Sequence, residues 1–438
     1  MTTRVRFTIG LGLVAAGAAM FAVAFRLSLS MLYGTVYRAD NVVDAIAGLP
    51  LWLRLVVPLA GAGVAGMIAR VRAAPAQGVS NVMEAVALGN VQLSLRTTAS
   101  RVASSWAAIA GGMSIGREGP LIEFGGALGA VAGRLLGTTL THTRILVAAG
   151  TAAGFAAAYN TPFAAVLFVL ETIAGIAAPE LLLPAMSATI IATAMTRAIV
   201  GIGPIYGQRA FGLESYLELI SFAALGVAAA VAATSFKWIL ASFENWFERH
   251  PVPQPWRAMI GGAVVGAIAV WLPAVAGNGY EPLNALLDRP MVVSAVGVLL
   301  VAKVIATSGA IASGVPGGIF TPMLLVGAAL GTSWSHLVGL LTASPSPGSY
   351  ALVGMAATTA ASIHAPLTAA VMIFELSGDY PIVLPLLVAT VVSTSVSRRL
   401  GSESVYEAEL RRRGLGWDLT LEGRRVKEGR RGGPPREA

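Results

Sequence analysis

Of 438 residues, 55% are hydrophobic and only 12% charged, where an ordinary soluble domain carries roughly 25% charged residues. With a mean hydropathy of +0.73, that balance excludes a soluble fold and predicts a lipid-solvated one. Much of the net charge of +8 is accounted for by Arg4 and Arg6, by Arg411 to Arg413, and by Arg424, Arg425, Arg430 and Arg431. Charge held in flanks and tail rather than on one basic face argues against nucleic acid, and the positive-inside bias predicts both termini in the cytoplasm. There is no cysteine, and His142, His250, His336 and His364 are scattered. Disulfides, thiolate chemistry and clustered histidine metal sites are therefore not expected, nor is any cofactor.

In chain order, apolar stretches close to the roughly 20 helical residues that cross a bilayer begin near Phe7, Leu51, Ser105, Ile145, Leu181, Tyr216, Met259, Met291, Pro322, Ser349 and Pro381. The first has the look of a signal peptide, but it runs past Arg26 into further spans and is read as uncleaved. Fifty glycines and abundant alanine predict close helix packing, which in lipid depends on small residues. Pro120, Pro162, Pro316, Pro322 and Pro366 head apolar runs, where proline suits a first helical turn. Helices that start within a membrane are expected where backbone lines a cavity.

Two pairs of segments repeat. Gly112 to Gly129 reads GMSIGREGPLIEFGGALG and Gly314 to Gly331 reads GVPGGIFTPMLLVGAALG. At an offset of 202, seven of the eighteen positions are identical. NTPFAAVLFVLE at 160–171 and HAPLTAAVMIFE at 364–375 follow at an offset of 204, which predicts a two-residue insertion in the loop 342–349. The chain thus reads as a duplicated membrane fold with halves of about 1–200 and 205–400, and a cytoplasmic end at 401–438. Duplicated halves with broken helices point to a transport site where helix N-termini converge, and such N-termini favour an anion. In the repeat register Glu118 corresponds to Phe320.

GREGP at 116–120 and GGIFTP at 317–322 resemble two signature motifs of the CLC family of chloride channels and chloride/proton exchangers. The resemblance extends through GTAAGFAAAYNTPFAAVLFVLE, SGVPGGIFTP, HAPLTAAVMIFEL and the late Tyr406. It implies an all-α polytopic membrane protein, an inverted duplication of about eighteen tilted and broken helices, as a homodimer with one pore per subunit. It implies Glu118 as the external gate and proton acceptor. It implies an anion site near Gly116, Arg117, Gly318 and the amides of Ile319 and Phe320, with the Tyr406 hydroxyl at the internal entrance.

Two departures bear on mechanism. The family's first motif, typically Gly-Ser-Gly-Ile-Pro, is best matched by AQGVS at 76–80, which sets Gln77 where many chloride-selective members have serine, followed by Gly78 and Val79. Glutamine also donates, but it is longer and more flexible. Chloride is expected, with nitrate or another halide as alternatives. Exchangers of the family commonly have two adjacent glutamates after the NTPFAAVLF-type phrase, whereas here Glu171 is followed by Thr172. Proton-coupled exchange and passive conduction thus both stay open, with exchange favoured by Glu118 and Tyr406. Glu171 and Glu375 also have a simpler reading, as caps or anchors of their helices. An intramembrane enzyme would need nucleophile, base or metal ligands around one pocket, and no spacing here supports one. A receptor or scaffold would need a soluble domain, and the tail after Arg411 is too short and polar to fold alone.

Overall fold

The computed structural model describes residues 2–70, 78–89, 91–175, 178–201, 206, 215–288, 291–341, 346–420 and 423–428. Among them are eighteen α-helices. The first half holds α1 (Thr3–Leu32), α2 (Val42–Ala47), α3 (Leu51–Arg70), α4 (Val79–Leu88), α5 (Leu95–Ala110), α6 (Glu118–Leu135), α7 (Leu140–Tyr159), α8 (Pro162–Phe168) and α9 (Pro179–Val200). The second holds α10 (Glu218–Arg249), α11 (Trp256–Trp271), α12 (Tyr280–Asp288), α13 (Val293–Ala312), α14 (Phe320–Val338), α15 (Pro347–Ile363), α16 (Pro366–Ser377) and α17 (Val383–Arg399). α18 (Val405–Arg412) follows, and α8 runs on into a π-helical turn, Val169–Ala174.

The halves match element by element from α3 with α11 to α9 with α17. Helix boundaries follow local chemistry. Pro162 and Pro366 stand at the first helical position of α8 and α16, where the missing N–H costs nothing. Pro120 and Pro322 fall in the first turn of α6 and α14, and Pro316 precedes α14. α7 and α15 stop at Asn160 and His364, both left-handed with φ of 58° and 57°, a conformation that Asn and His adopt more readily than most residues. α18 opens with a capping box in which the Ser404 hydroxyl accepts from the Glu407 amide and the Glu407 carboxylate accepts from the Ser404 amide.

Small residues set the packing. α6 meets α7 where Gly125 faces Gly150, and α14 meets α15 where Gly327 faces Gly354. A Cβ on Gly129 would lie 2.6 Å from the Val147 Cα, and one on Gly327 would lie 2.7 Å from the Met355 Cα. Two helices of each repeat therefore approach backbone to backbone, as expected where dispersion between close-packed helices takes over from the hydrophobic effect. The equivalent helices α3 and α11 also pack on each other.

By length and composition, five helical stretches suffice to cross a membrane: Thr3–Ala47, Leu51–Arg70, Pro179–Val200, Glu218–Arg249 and Val293–Ala312. α8 with its π-turn, α11 and α16 are short apolar helices. The tail departs from the sequence expectation. Leu415–Thr420 (β1) and Gly423–Glu428 (β2) pair antiparallel, with Leu415 opposite Glu428. In the hairpin β1 lies against α18 and β2 against α4. Residues 342–345 of the loop expected to carry the insertion, and Arg430 and Arg431, lie outside the described residues.

Candidate anion and proton site

The two signature segments touch. The Gly116 amide donates to the Gly318 carbonyl at 2.7 Å and the Gly318 amide to the Gly116 carbonyl at 2.8 Å, an antiparallel bridge between repeat-equivalent glycines. It holds the start of α6 against the start of α14. Ile319 is the N-cap of α14 and Phe320 its first residue, so the free amides and positive end of that helix lie at the junction. Glu118, the first residue of α6, is 1% exposed. Its carboxylate accepts from the Thr321 amide at 3.2 Å and the Thr321 hydroxyl at 3.2 Å.

Glycines leave room for that carboxylate on both sides. A Cβ on Gly116 or on Gly318 would overlap the carboxylate of Glu118. Behind it the Thr321 and Tyr159 hydroxyls bond at 2.8 Å, and the Phe320 ring packs on Phe155 and Tyr159 with centroids 5.5 and 5.7 Å away.

Two cavities adjoin the junction, labelled inner for the one beside α18 and outer for the one beside α1. An inner one of about 370 Å³ is lined by Glu118, Gly318 and Ile319, by Gly78 and Val79 at the start of α4, and by Tyr406 on α18. Tyr406 is 8% exposed and meets Phe168 edge to face at 6.4 Å. An outer one of about 470 Å³ is lined by Arg26, Arg117, Asn160, Tyr280 and Glu281. The structure thus brings Gly78, Val79, Gly318, Ile319 and Tyr406 into the cavity that Glu118 lines and sets Arg117 in the other. Gly116 and Phe320 support the carboxylate without lining either cavity. Gln77 lies outside the described residues.

Glu171 and Thr172 line neither cavity. The Glu171 carboxylate caps α16, accepting from the amides of Leu367 (3.1 Å) and Thr368 (2.7 Å) and from the Thr368 hydroxyl (2.6 Å). Thr172 is 1% exposed, and its hydroxyl has no hydrogen-bond partner among the described residues.

Sequence reasoning passed over four residues. Thr321 supplies both donors to Glu118, which only the fold reveals. Glu123 lines the inner cavity at 2% exposed, ion-paired to Arg101. Lys237 donates to the carbonyls of Ala361 (3.1 Å) and Glu403 (2.9 Å), and Lys303 to those of Val275 (3.0 Å) and Gly277 (2.8 Å). The last three carry the signal of an ionisable residue inside an apolar helix, which marks a candidate by default.

Inverted repeats, a buried carboxylate at a helix N-terminus and a cavity on either side define a membrane transport protein for small anions. The voltage gated chloride channel family matches the chain over residues 60–398. A ClcB-like chloride channel protein of Ralstonia nicotianae is 38% identical over 410 residues, covering 92% of this chain and 96% of that one. The voltage-gated ClC-type chloride channel ClcB of Citrobacter koseri is 30% identical over 402 residues, covering 89% and 95%. Among solved structures, a slow cyanobacterial Cl⁻/H⁺ antiporter superposes with a TM-score of 0.84 at 25% identity, over 93% of this chain and 98% of that one. A CLC-type fluoride/proton antiporter, at 21% identity and a TM-score of 0.74, shares the fold. The chain belongs to the voltage gated chloride channel (CLC) family, and is a membrane transport protein rather than an enzyme.

Proposed function

We propose that the protein exchanges chloride for protons across the inner membrane, as a homodimer with a pore in each subunit and both termini in the cytoplasm. The observation that carries this reading is the Glu118 carboxylate at the N-terminus of α14, where it lines one cavity while its neighbour Arg117 lines the other. An ionised Glu118 competes with an anion for the same positive helix end. Protonated, it loses that attraction and gives way. One residue then serves both as gate and as proton carrier. Ile319 and Phe320 offer amides to the anion, Gly78 and Val79 border it, and Tyr406 narrows the inner mouth. Arg117 gathers anions on the outer side.

Passive conduction of chloride is the second reading. It is favoured by Thr172, which carries no titratable group, and by Glu171, whose carboxylate is committed to capping α16. Reconstituted protein given a chloride gradient separates the two. An exchanger drives protons uphill and stops doing so in Glu118→Gln, whereas a channel passes chloride alone.

A further inference from the structure

The inner cavity holds a second buried carboxylate. Glu123 lies five residues after Glu118 on α6, and both line the same cavity. Five residues on, the two side chains leave the helix in different directions, so it is the shared cavity of about 370 Å³, and water within it, that links them. From α5, Arg101 pairs with Glu123, and from α4 the Asn81 amide donates to it at 3.3 Å. Asn81 in turn accepts from Arg413 at 3.0 Å, just past α18. Glu409 of α18 accepts from the Ser80 hydroxyl at 2.7 Å. Glu84 lies 3.9 Å from Arg413, and the cavity wall also carries Lys237, Glu244, Arg257, Glu403, Arg411 and Arg412. A polar chain thus runs from the α18 end of the protein to Glu123, with Glu118 at the far end of the same cavity.

We propose that Glu123 is the inner proton station of this transporter, passing protons between the α18 side and Glu118. This inference rests on the exchange reading. It gives the proton an inner carboxylate although residue 172 is a threonine and Glu171 holds the α16 cap. α4, which carries Asn81, packs both on α6 and on the π-turn that contains Thr172. The step is a proton transfer only: a proton entering from solvent on the α18 side is relayed through cavity water to the Glu123 carboxylate, which passes it on through water to Glu118. While Glu123 is protonated, Arg101 loses its counter-charge, and its field then favours an anion in the cavity.

The test measures chloride flux and proton flux together in liposomes, for wild type, Glu123→Gln, Glu123→Asp and the double variant Arg101→Met with Glu123→Gln. The double variant removes both buried charges, so it leaves no unpaired ion. We expect chloride flux to persist while proton flux per chloride falls on the order of 100-fold in Glu123→Gln and in the double variant, the scale of a lost positioned proton carrier. Glu123→Asp should restore part of it. A wild-type coupling ratio in Glu123→Gln overturns the proposal and leaves exchange standing. Wild-type protein that moves no protons overturns exchange itself and the proposal with it. Loss of folded protein and of chloride flux in all three variants assigns Glu123 to the fold and also overturns the proposal.

Discussion

Glu171 and Glu375 exchange helix caps across the duplication. Glu171, at the end of the first repeated phrase, binds the amides of Leu367 and Thr368 at the start of the second. Glu375, at the end of the second, binds the amides of Phe163 and Ala164 at the start of the first, at 3.0 and 2.8 Å. The proline before each apolar run and the glutamate after it are therefore one device. Proline starts a short helix, and the partner's glutamate satisfies its free N–H groups.

That reciprocity predicts matched effects. Glu171→Gln and Glu375→Gln should each lower stability by about 0.5–2 kcal/mol, the range for loss of a good N-terminal cap. Thermal unfolding in detergent reads this, and the two shifts should be similar. The proton-to-chloride ratio should be unchanged in Glu375→Gln. It should also survive in Glu171→Gln, because that carboxylate lines neither cavity.

Gly331→Ala should be far more damaging than Gly12→Ala. At Gly331 a Cβ would lie 2.9 Å from the Ala351 Cα and overlap the Tyr350 carbonyl, whereas at Gly12 it would meet nothing within 4 Å. Forcing α14 off α15 should cost about 1–3 kcal/mol or more, read as loss of monodisperse protein on size exclusion. Gly12→Ala should be neutral or slightly stabilising, since glycine inside a helix is itself unfavourable.

Lys303→Met removes the donor that satisfies two carbonyls at the start of the Gly277 to Tyr280 turn. Leaving them buried and unpaired should cost about 1–3 kcal/mol, so the melting temperature should fall. Chloride transport at low temperature should be retained, because Lys303 lines neither cavity.

Arg26 and Arg117 face the outer cavity, and neither guanidinium has a hydrogen bond or ion pair among the described residues. Arg117→Gln should raise the outside chloride concentration for half-maximal flux roughly threefold, the scale of a partly screened surface charge. The difference should shrink at high ionic strength. A shift that ignores ionic strength would point to a packing role for Arg117.

Much of this arrangement was legible in the sequence because the duplication wrote it twice. The offsets of 202 and 204 paired Gly116 with Gly318, and the structure joins those residues by two hydrogen bonds. The prolines gave the starts of α8 and α16. What stayed hidden depends on contacts between distant segments. Nothing in NTPFAAVLFVLE says that its glutamate belongs to the other repeat's helix, and nothing in GGIFTP says that Thr321 donates twice to Glu118. Glu123 was visible as a carboxylate within an apolar helix, but its pairing with Arg101 needed the packing of α5 on α6. The β1–β2 hairpin was missed because the tail's own composition does not show that it would lie against α18 and α4.

The central claim is that one carboxylate, Glu118, serves both anion and proton. The most direct test places purified protein in liposomes with a chloride gradient as the sole driving force and records proton movement. The account predicts uphill proton movement in wild type and its disappearance in Glu118→Gln, with chloride flux continuing. Chloride flux with no proton movement in wild type would contradict it and make this protein a channel.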